Sequence, residues 1–287
     1  MKLADVSVLL PRLSQAQAPL THQISAVNEF GEAVQVAIPA ERALVVYVDR
    51  REVLTLMTLG AHPEWLVLGF LLNQRIIAEA AEVESITVDW EVAAAAVKTR
   101  NGIDALEKKT ASRVVTTGCG QGSVFAGVMQ DLDRLLLAPT SLSQQDLYAM
   151  VTTMRLHQSI YKVSGSVHGC ALFHGPELVF SAEDVGRHNA LDTIAGWMAM
   201  HGPIDRTGLS FYTTGRLTSE MVIKAAQMGV AVVVSRSGIT QMGQAVAARL
   251  GLCAIGRANG RHFLCYSAAE RLLLHNGLAG ARLRVVA

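Results

Sequence analysis

The chain has 287 residues, 51% of them hydrophobic and 17% charged, with a formal net charge of +1. That balance excludes a disordered chain, and it supplies no overall field to draw nucleic acid or an anionic membrane as a partner. The four cysteines, Cys119, Cys170, Cys253 and Cys265, are too few and too scattered for a disulfide framework, and no C-x-x-C pair offers a zinc ribbon.

At the N-terminus, Ala16-Gln17-Ala18 looks like a leader-cleavage site, but Asp5 and Arg12 interrupt the apolar stretch and Pro11 breaks it. The longest charge-free run, residues 114–130, is rich in Gly, Thr and Gln and makes a poor membrane span. The chain therefore reads as soluble and cytoplasmic. Residues 35–59 are strand-like, with Val45 to Val48 and Val53 to Met57 around the polar turn Asp49-Arg50-Arg51, a hairpin pattern. His62-Pro63-Glu64 opens a helix, with proline near its first position and an apolar stripe of Trp65, Leu68, Gly69 and Leu72. A strand is predicted over 85–90, followed by 93–98 and a polar turn at Arg100-Asn101-Gly102.

Residues 113–139 form an irregular segment around Gly118-Cys119-Gly120-Gln121-Gly122-Ser123. Segments of this length without regular structure are usually functional. Beyond it the chain alternates regularly. Helices are predicted over 143–161, 187–200, 218–227 and 243–250. Strands are predicted over 171–174, 177–181, 209–213, 230–234, 252–255 and 262–266. Short, nearly all-apolar strands alternating with helices predict an α/β sheet covered on both faces. The organisation expected is an N-terminal α+β domain (1–112), a connector carrying Cys119 (113–140) and an α/β domain (141–287).

Cys253 and Cys265 lie in apolar, strand-like surroundings and read as small buried hydrophobes. The glycines flanking Cys119 permit positive φ and leave its sulfur open to another macromolecule's sulfur. Backbone N–H groups in such a loop lower a thiol pKa. The G-x-G-x-x-G spacing of a phosphate loop fails after the second glycine, and no Gly-Lys-Ser/Thr follows.

The loop resembles the Thr-Gly-Cys-Gly-x-Cys-Gly segment of the FdhD formate dehydrogenase accessory proteins (the FdhD/NarQ type). Ala61-His62-Pro63 through Ile76-Ile77, Glu183-Asp184-Val185-Gly186-Arg187-His188-Asn189-Ala190-Leu191-Asp192 and Thr213-Thr214-Gly215-Arg216 with Ser219-Glu220-Met221-Val222 resemble other segments of that family in the same order. The resemblance implies a cytidine-deaminase-like three-layer core beside a smaller β-rich N-terminal domain. It implies a sulfurtransferase in which Cys119 carries a persulfide from an IscS-like cysteine desulfurase to a molybdenum cofactor. That cargo is bis-molybdopterin guanine dinucleotide, destined for formate dehydrogenase. A homodimer with no tightly held metal of its own is also implied. Family members often carry a second cysteine three residues after the first, and that position is Gly122 here.

Three segments are candidates for holding the cofactor. Asp184, Arg187 and His188 lie between a strand and a helix, where Arg187 suits a phosphate and Asp184 a helix cap, a base or a structural Arg–Asp pair. Thr214 and Arg216 occupy the same topology one unit later, fit either for an anion or for a cap. By the resemblance, Arg257, Ala258, Asn259, Gly260, Arg261 and His262 map onto the family's guanine-dinucleotide segment, and arginine forks suit its phosphates. His168 and Cys170 read as a packed polar residue and a buried thiol. Two alternatives stand beside sulfur transfer. One is a cofactor-binding chaperone without sulfur chemistry. The other is a divergent deaminase-fold enzyme, although its His/Cys-x-Glu and Pro-Cys-x-x-Cys ligand patterns are missing.

Overall fold

The computed structural model describes residues 9–103, 114–115, 122–123, 135–157, 159–202 and 204–275. The N-terminal portion comprises β1 (Arg12–Leu13), β2 (Thr21–Val27), β3 (Ala33–Pro39), β4 (Arg42–Val48), β5 (Arg51–Thr58), α1 (Pro63–Asn73), β6 (Val83–Asp89) and β7 (Ala94–Thr99). β2 and β3 form a separate hairpin, and the main sheet runs β1-β6-β7-β4-β5. The predicted hairpin is β4–β5, closed by Asp49 and Arg50, both at positive φ (47° and 70°). Two consecutive left-handed residues match the right-handed twist of the strands they join. The Asp49 carboxylate accepts from Thr99 N and Oγ1, tying the turn to β7.

β8 (Val114–Val115) and β9 (Gly122–Ser123) pair antiparallel, with Val115 opposite Gly122. They bracket residues 116–121 in sequence. Cys119 lies among those and is outside the described residues.

The C-terminal portion comprises β10 (Leu142–Ser143), α2 (Gln144–Leu156), α3 (Ile160–Ser164), β11 (His168–His174), β12 (Glu177–Asp184), α4 (Arg187–Met200) and β13 (Leu209–Thr213). After these come α5 (Ser219–Gln227), β14 (Val232–Ser235), α6 (Gln241–Leu250), β15 (Cys253–Asn259), β16 (His262–Ser267) and β17 (Leu272–Leu273). Six strands form one sheet in the order β12-β11-β13-β14-β15-β16, in which β13, β14 and β15 run parallel.

Side chains alternate across that sheet as a two-residue period requires. Leu172, Phe211, Val233 and Ala254 pack with Leu191, Ile194, Val222 and Val246 of α4, α5 and α6. Ala171, Phe173, Tyr212, Val232, Val234 and Cys253 face the other way, onto Leu147 and Met150 of α2. Helix–sheet–helix layering of this kind is the predicted α/β sheet covered on both faces. No described helix is long and apolar enough to cross a membrane.

Two expectations need correction. The helix expected over 143–161 ends at Leu156, and Ile160–Ser164 is a separate short helix. The Ser159 hydroxyl and the Glu183 carboxylate accept the N–H groups that open α3, and this supports the restart. The single apolar stripe expected on α1 is also too narrow, because the helix buries Leu66, Val67, Leu68, Phe70 and Leu71 around most of its circumference. One side meets Ile86 and Val97 of its own sheet, and the other crosses α4. At that crossing the backbones touch. A Cβ on Gly69 would lie 1.8 Å from Asp192 O, and one on Gly196 would lie 1.9 Å from Trp65 O.

Candidate functional site

The parallel strands β13, β14 and β15 end together, and a cavity of about 240 Å³ opens at their carboxyl edge on the α2–α3 side of the sheet. Its wall includes Arg155, His157, Lys162, Glu183, Thr214, Arg236, Ala258 and Asn259. Local hydrogen bonds hold the strand ends in place. Thr214 N donates to Gly169 O at 2.9 Å, while Gly169 N donates back to Thr214 Oγ1 at 3.1 Å. Arg236 N donates to Thr213 O at 3.0 Å, and Ser237 Oγ to Thr214 O at 2.8 Å. Arg257 N donates to Ser237 O at 2.8 Å, with Arg257 held at a φ of 53° in a strand irregularity between Gly256 and Asn259. The carboxyl end of parallel strands is where open α/β sheets bind ligands.

Beneath this rim lies a layer of buried charge. Arg187 is 4% exposed, and its aliphatic stem runs under Gly215, where a Cβ would come 2.7 Å from Arg187 Cδ. Its Nε finds no hydrogen-bond acceptor among the described residues. Buried guanidinium nitrogens rarely go without one. Lys224 Nζ donates to Asp192 at 2.8 and 3.0 Å and lies 3.8 Å from Glu220, and His188 Nε2 lies 3.3 Å from Glu220. Asp192 and Glu220 thus both face Lys224, and a protonated His188 would add a second buried positive charge beside it. Burial, reinforced by Lys224 and Arg187, holds His188 neutral, its pKa lowered to about 2. His168 is also held down, first by burial and then by the charges of Arg187 and Arg216.

The Asp184 carboxylate is spent inside the protein. One oxygen accepts from Thr58 Oγ1 and Leu59 N, and the other from Gly186 N and Asn189 Nδ2. Burial raises its pKa, and these four donors only partly oppose the rise. Among the described residues no group of three His, Cys, Asp or Glu side chains gathers as metal ligands.

Residues 39–273 match the FdhD/NarQ family. The chain belongs to that family. It is 30% identical to the "Sulfur carrier protein FdhD" of Bacillus subtilis (strain 168), over 81% of this chain and 88% of that protein. Identity is also 30% to the "Sulfur carrier protein FdhD" of Bacillus licheniformis, over 84% of this chain and 93% of the relative. The fold resembles the crystal structure of a candidate formate dehydrogenase accessory protein from Desulfotalea psychrophila. That match has a TM-score of 0.71 and 24% identity, covering 89% of this chain and 100% of the other.

Among the site residues named from the sequence of this FdhD/NarQ chain, the fold brings Thr214, Ala258 and Asn259 to the cavity wall. Arg187 and His188 sit in the buried layer below, and Arg216 is exposed one residue beyond Gly215. The stretch 257–262 is not a single turn. Arg257, Ala258 and Asn259 continue β15, Gly260 and Arg261 form the turn, and His262 begins β16 opposite Asn259. Arg257, Arg261 and His262 are exposed and lie off the cavity wall. Cys170 is fully buried, its thiol 3.4 Å from Thr213 Oγ1, and burial pushes its pKa up to about 12.

Sequence reasoning missed Arg236, Arg155, Lys162 and Glu183. Arg236 was within reach, because it follows a fully apolar strand at the same topological position as Thr214. The α2–α3 residues carry no such signal. They reach the cavity only because the helix breaks after Leu156.

Proposed function

We propose that this protein is a sulfur carrier that takes persulfide sulfur on Cys119 and passes it to a molybdenum cofactor before its insertion into formate dehydrogenase. The observation that carries the reading is the family match across residues 39–273, which spans Cys119 in its glycine bed, together with relatives named as sulfur carrier proteins. In this reading the Cys119 thiolate attacks the terminal sulfur of a desulfurase persulfide. The new S–S bond forms on Cys119 and the donor thiolate leaves. In the donation step the Cys119 S–S bond would break to regenerate the Cys119 thiolate. The released sulfane sulfur would become sulfide on the cargo by taking two electrons from the cargo's reduced metal.

The cargo proposed is bis-molybdopterin guanine dinucleotide. The cavity at the strand ends is small, about 240 Å³ against roughly 300–1,000 Å³ for typical ligand pockets. It would hold one end of so large a cofactor. Arg155, Lys162 and Arg236 line it and Arg187 lies beneath, a set suited to phosphate oxygens. Arg216, Arg257, Arg261 and His262 would meet the remainder on the open surface. A cytoplasmic homodimer loaded by an IscS-like cysteine desulfurase completes the proposal, with the chain divided at 1–112, 113–140 and 141–287. Separate apolar clusters in the two sheets favour that division, and the layered second portion suits a cytidine-deaminase-like core.

The test is intact mass after incubation with a cysteine desulfurase and cysteine. A reductant-labile gain of one sulfur, about 32 Da, is expected in the wild type and not in Cys119→Ala. The basic cavity wall, with Arg257 and Arg261 on the open surface beyond it, favours one other reading, a cofactor chaperone without sulfur chemistry. Formate dehydrogenase matured normally by Cys119→Ala, but not by a variant lacking Arg257 and Arg261, would select the chaperone.

A further inference from the structure

Cys253 on β15 and Cys265 on β16 bring their sulfurs to 3.8 Å across an antiparallel strand pair. Neither lines the cavity, and neither takes part in the proposed sulfur transfer. Their surroundings differ in a useful way. Cys253 is fully buried against the α2 face of the sheet, whereas Cys265 is only partly buried at the rim of the same cluster. Either sulfur can donate to the other, and Cys265 Sγ also reaches Ser267 O at 3.4 Å. A shared proton between the sulfurs favours a single thiolate, at the more exposed Cys265, over two. One thiol is therefore open to attack small molecules, and a second stands behind it within bonding reach.

We propose that Cys253 and Cys265 form a reversible dithiol–disulfide site whose co-reactant is a low-molecular-weight disulfide of the glutathione class. The Cys265 thiolate attacks one sulfur of the small disulfide. A mixed disulfide forms on Cys265 and the first small thiolate leaves. Cys253 then gives up its proton and attacks the Cys265 sulfur. The Cys253–Cys265 bond forms, and the second small thiol departs with that proton. Two protein thiols are oxidised by two electrons, and one small disulfide is reduced to two thiols. A disulfide needs about 2 Å between sulfurs, so side-chain rotation and a modest strand adjustment must close the gap. The ladder is irregular between Ala254 and Ile255, beside Cys253, and that is where the adjustment would fall. The bond would staple the foot of the hairpin whose turn is Gly260–Arg261. The functional weight of that staple rests on the cofactor role proposed above, but the thiol chemistry does not.

The experiment uses the full chain, reduced and then exposed to oxidised glutathione at a concentration that fully oxidises dithiothreitol. After alkylation and trypsin digestion, peptides 250–257 and 262–271 should appear joined by a reductant-labile bond in most molecules. Cys253→Ser should instead retain glutathione on Cys265. A wild-type protein that leaves Cys265 as a free thiol, or that stops at the mixed disulfide, overturns the proposal. The readout involves neither Cys119 nor the cofactor, so its failure and the failure of the sulfur-carrier reading are distinguishable.

Discussion

The Asp184 carboxylate at the end of β12 accepts a hydrogen bond from the Thr58 hydroxyl of β5 at 2.5 Å, across 126 positions of the chain. The same side chain holds Leu59 N, Gly186 N and Asn189 Nδ2, so it brackets the end of the N-terminal sheet to the start of α4. Asp184→Ala strands four donors in a buried place and should cost about 3–5 kcal/mol. Asp184→Asn, which keeps an acceptor oxygen, should cost less. Urea unfolding reads both, and an unchanged midpoint in the alanine variant refutes the bracket.

The α1–α4 crossing depends on two missing methyl groups. Gly69→Ala puts a Cβ against Asp192 O, and backbone cannot swing aside as a side chain can. A loss of at least about 3 kcal/mol is expected, or failure to fold. Ala80→Gly, a small change away from the crossing, serves as a control and should keep most of the wild-type melting temperature.

The buried Asp192–Lys224 pair makes a double-mutant prediction. Lys224→Met leaves an uncompensated carboxylate at a residue with 0% exposure and should destabilise by about 3–5 kcal/mol. Adding Asp192→Leu removes that charge and should restore a large share. A double variant less stable than Lys224→Met would show that packing, not charge, governs the site.

His188 imposes a pH dependence of definite sign. Its folded pKa is lowered to about 2 from an ordinary 6.5. The unfolded chain therefore binds the extra proton, and the stabilisation present above pH 6.5 is lost as pH falls. Between pH 7 and 5 the loss is about 2 kcal/mol. Asp184 and Asp192, raised by burial, act in the opposite direction and only above their ordinary 3.8. His188→Phe should flatten the pH 5–7 slope relative to wild type in urea titrations. Equal slopes would remove His188 as the cause.

Thiol reactivity should rank by burial. Cys170, at 0% exposure with its pKa pushed up to about 12, should resist iodoacetamide in the folded protein, whereas partly buried Cys265 should react. Peptide mapping of brief alkylation at pH 8 reads the order directly, and rapid labelling of Cys170 would mean that the sheet opens locally.

Local chemistry was legible without the fold. Alternating apolar runs marked the strands, Pro63 marked the start of α1, and Asp49-Arg50 marked a turn, because these depend on neighbours two to four residues away. The glycine bed of Cys119 and the segment 183–192 pointed to the family for the same reason, being short and contiguous. The break after Leu156 was not legible. It depends on Glu183, which reaches Ile160 N only once β12 is in place.

By itself, then, the sequence determined the covered α/β sheet, the family and the residue proposed to carry sulfur. Each is written in period, composition or contiguous motif. Tertiary structure alone decided what the polar residues do. Asp184 became a bracket because Thr58 folds against it, and Arg236 joined Thr214 and Asn259 because parallel strands end at one edge. Cys253 met Cys265 because a hairpin folds back on itself. Such pairings join residues from 12 to 126 positions apart. Burial and proximity at that range are properties of the packed chain, and no local pattern encodes them.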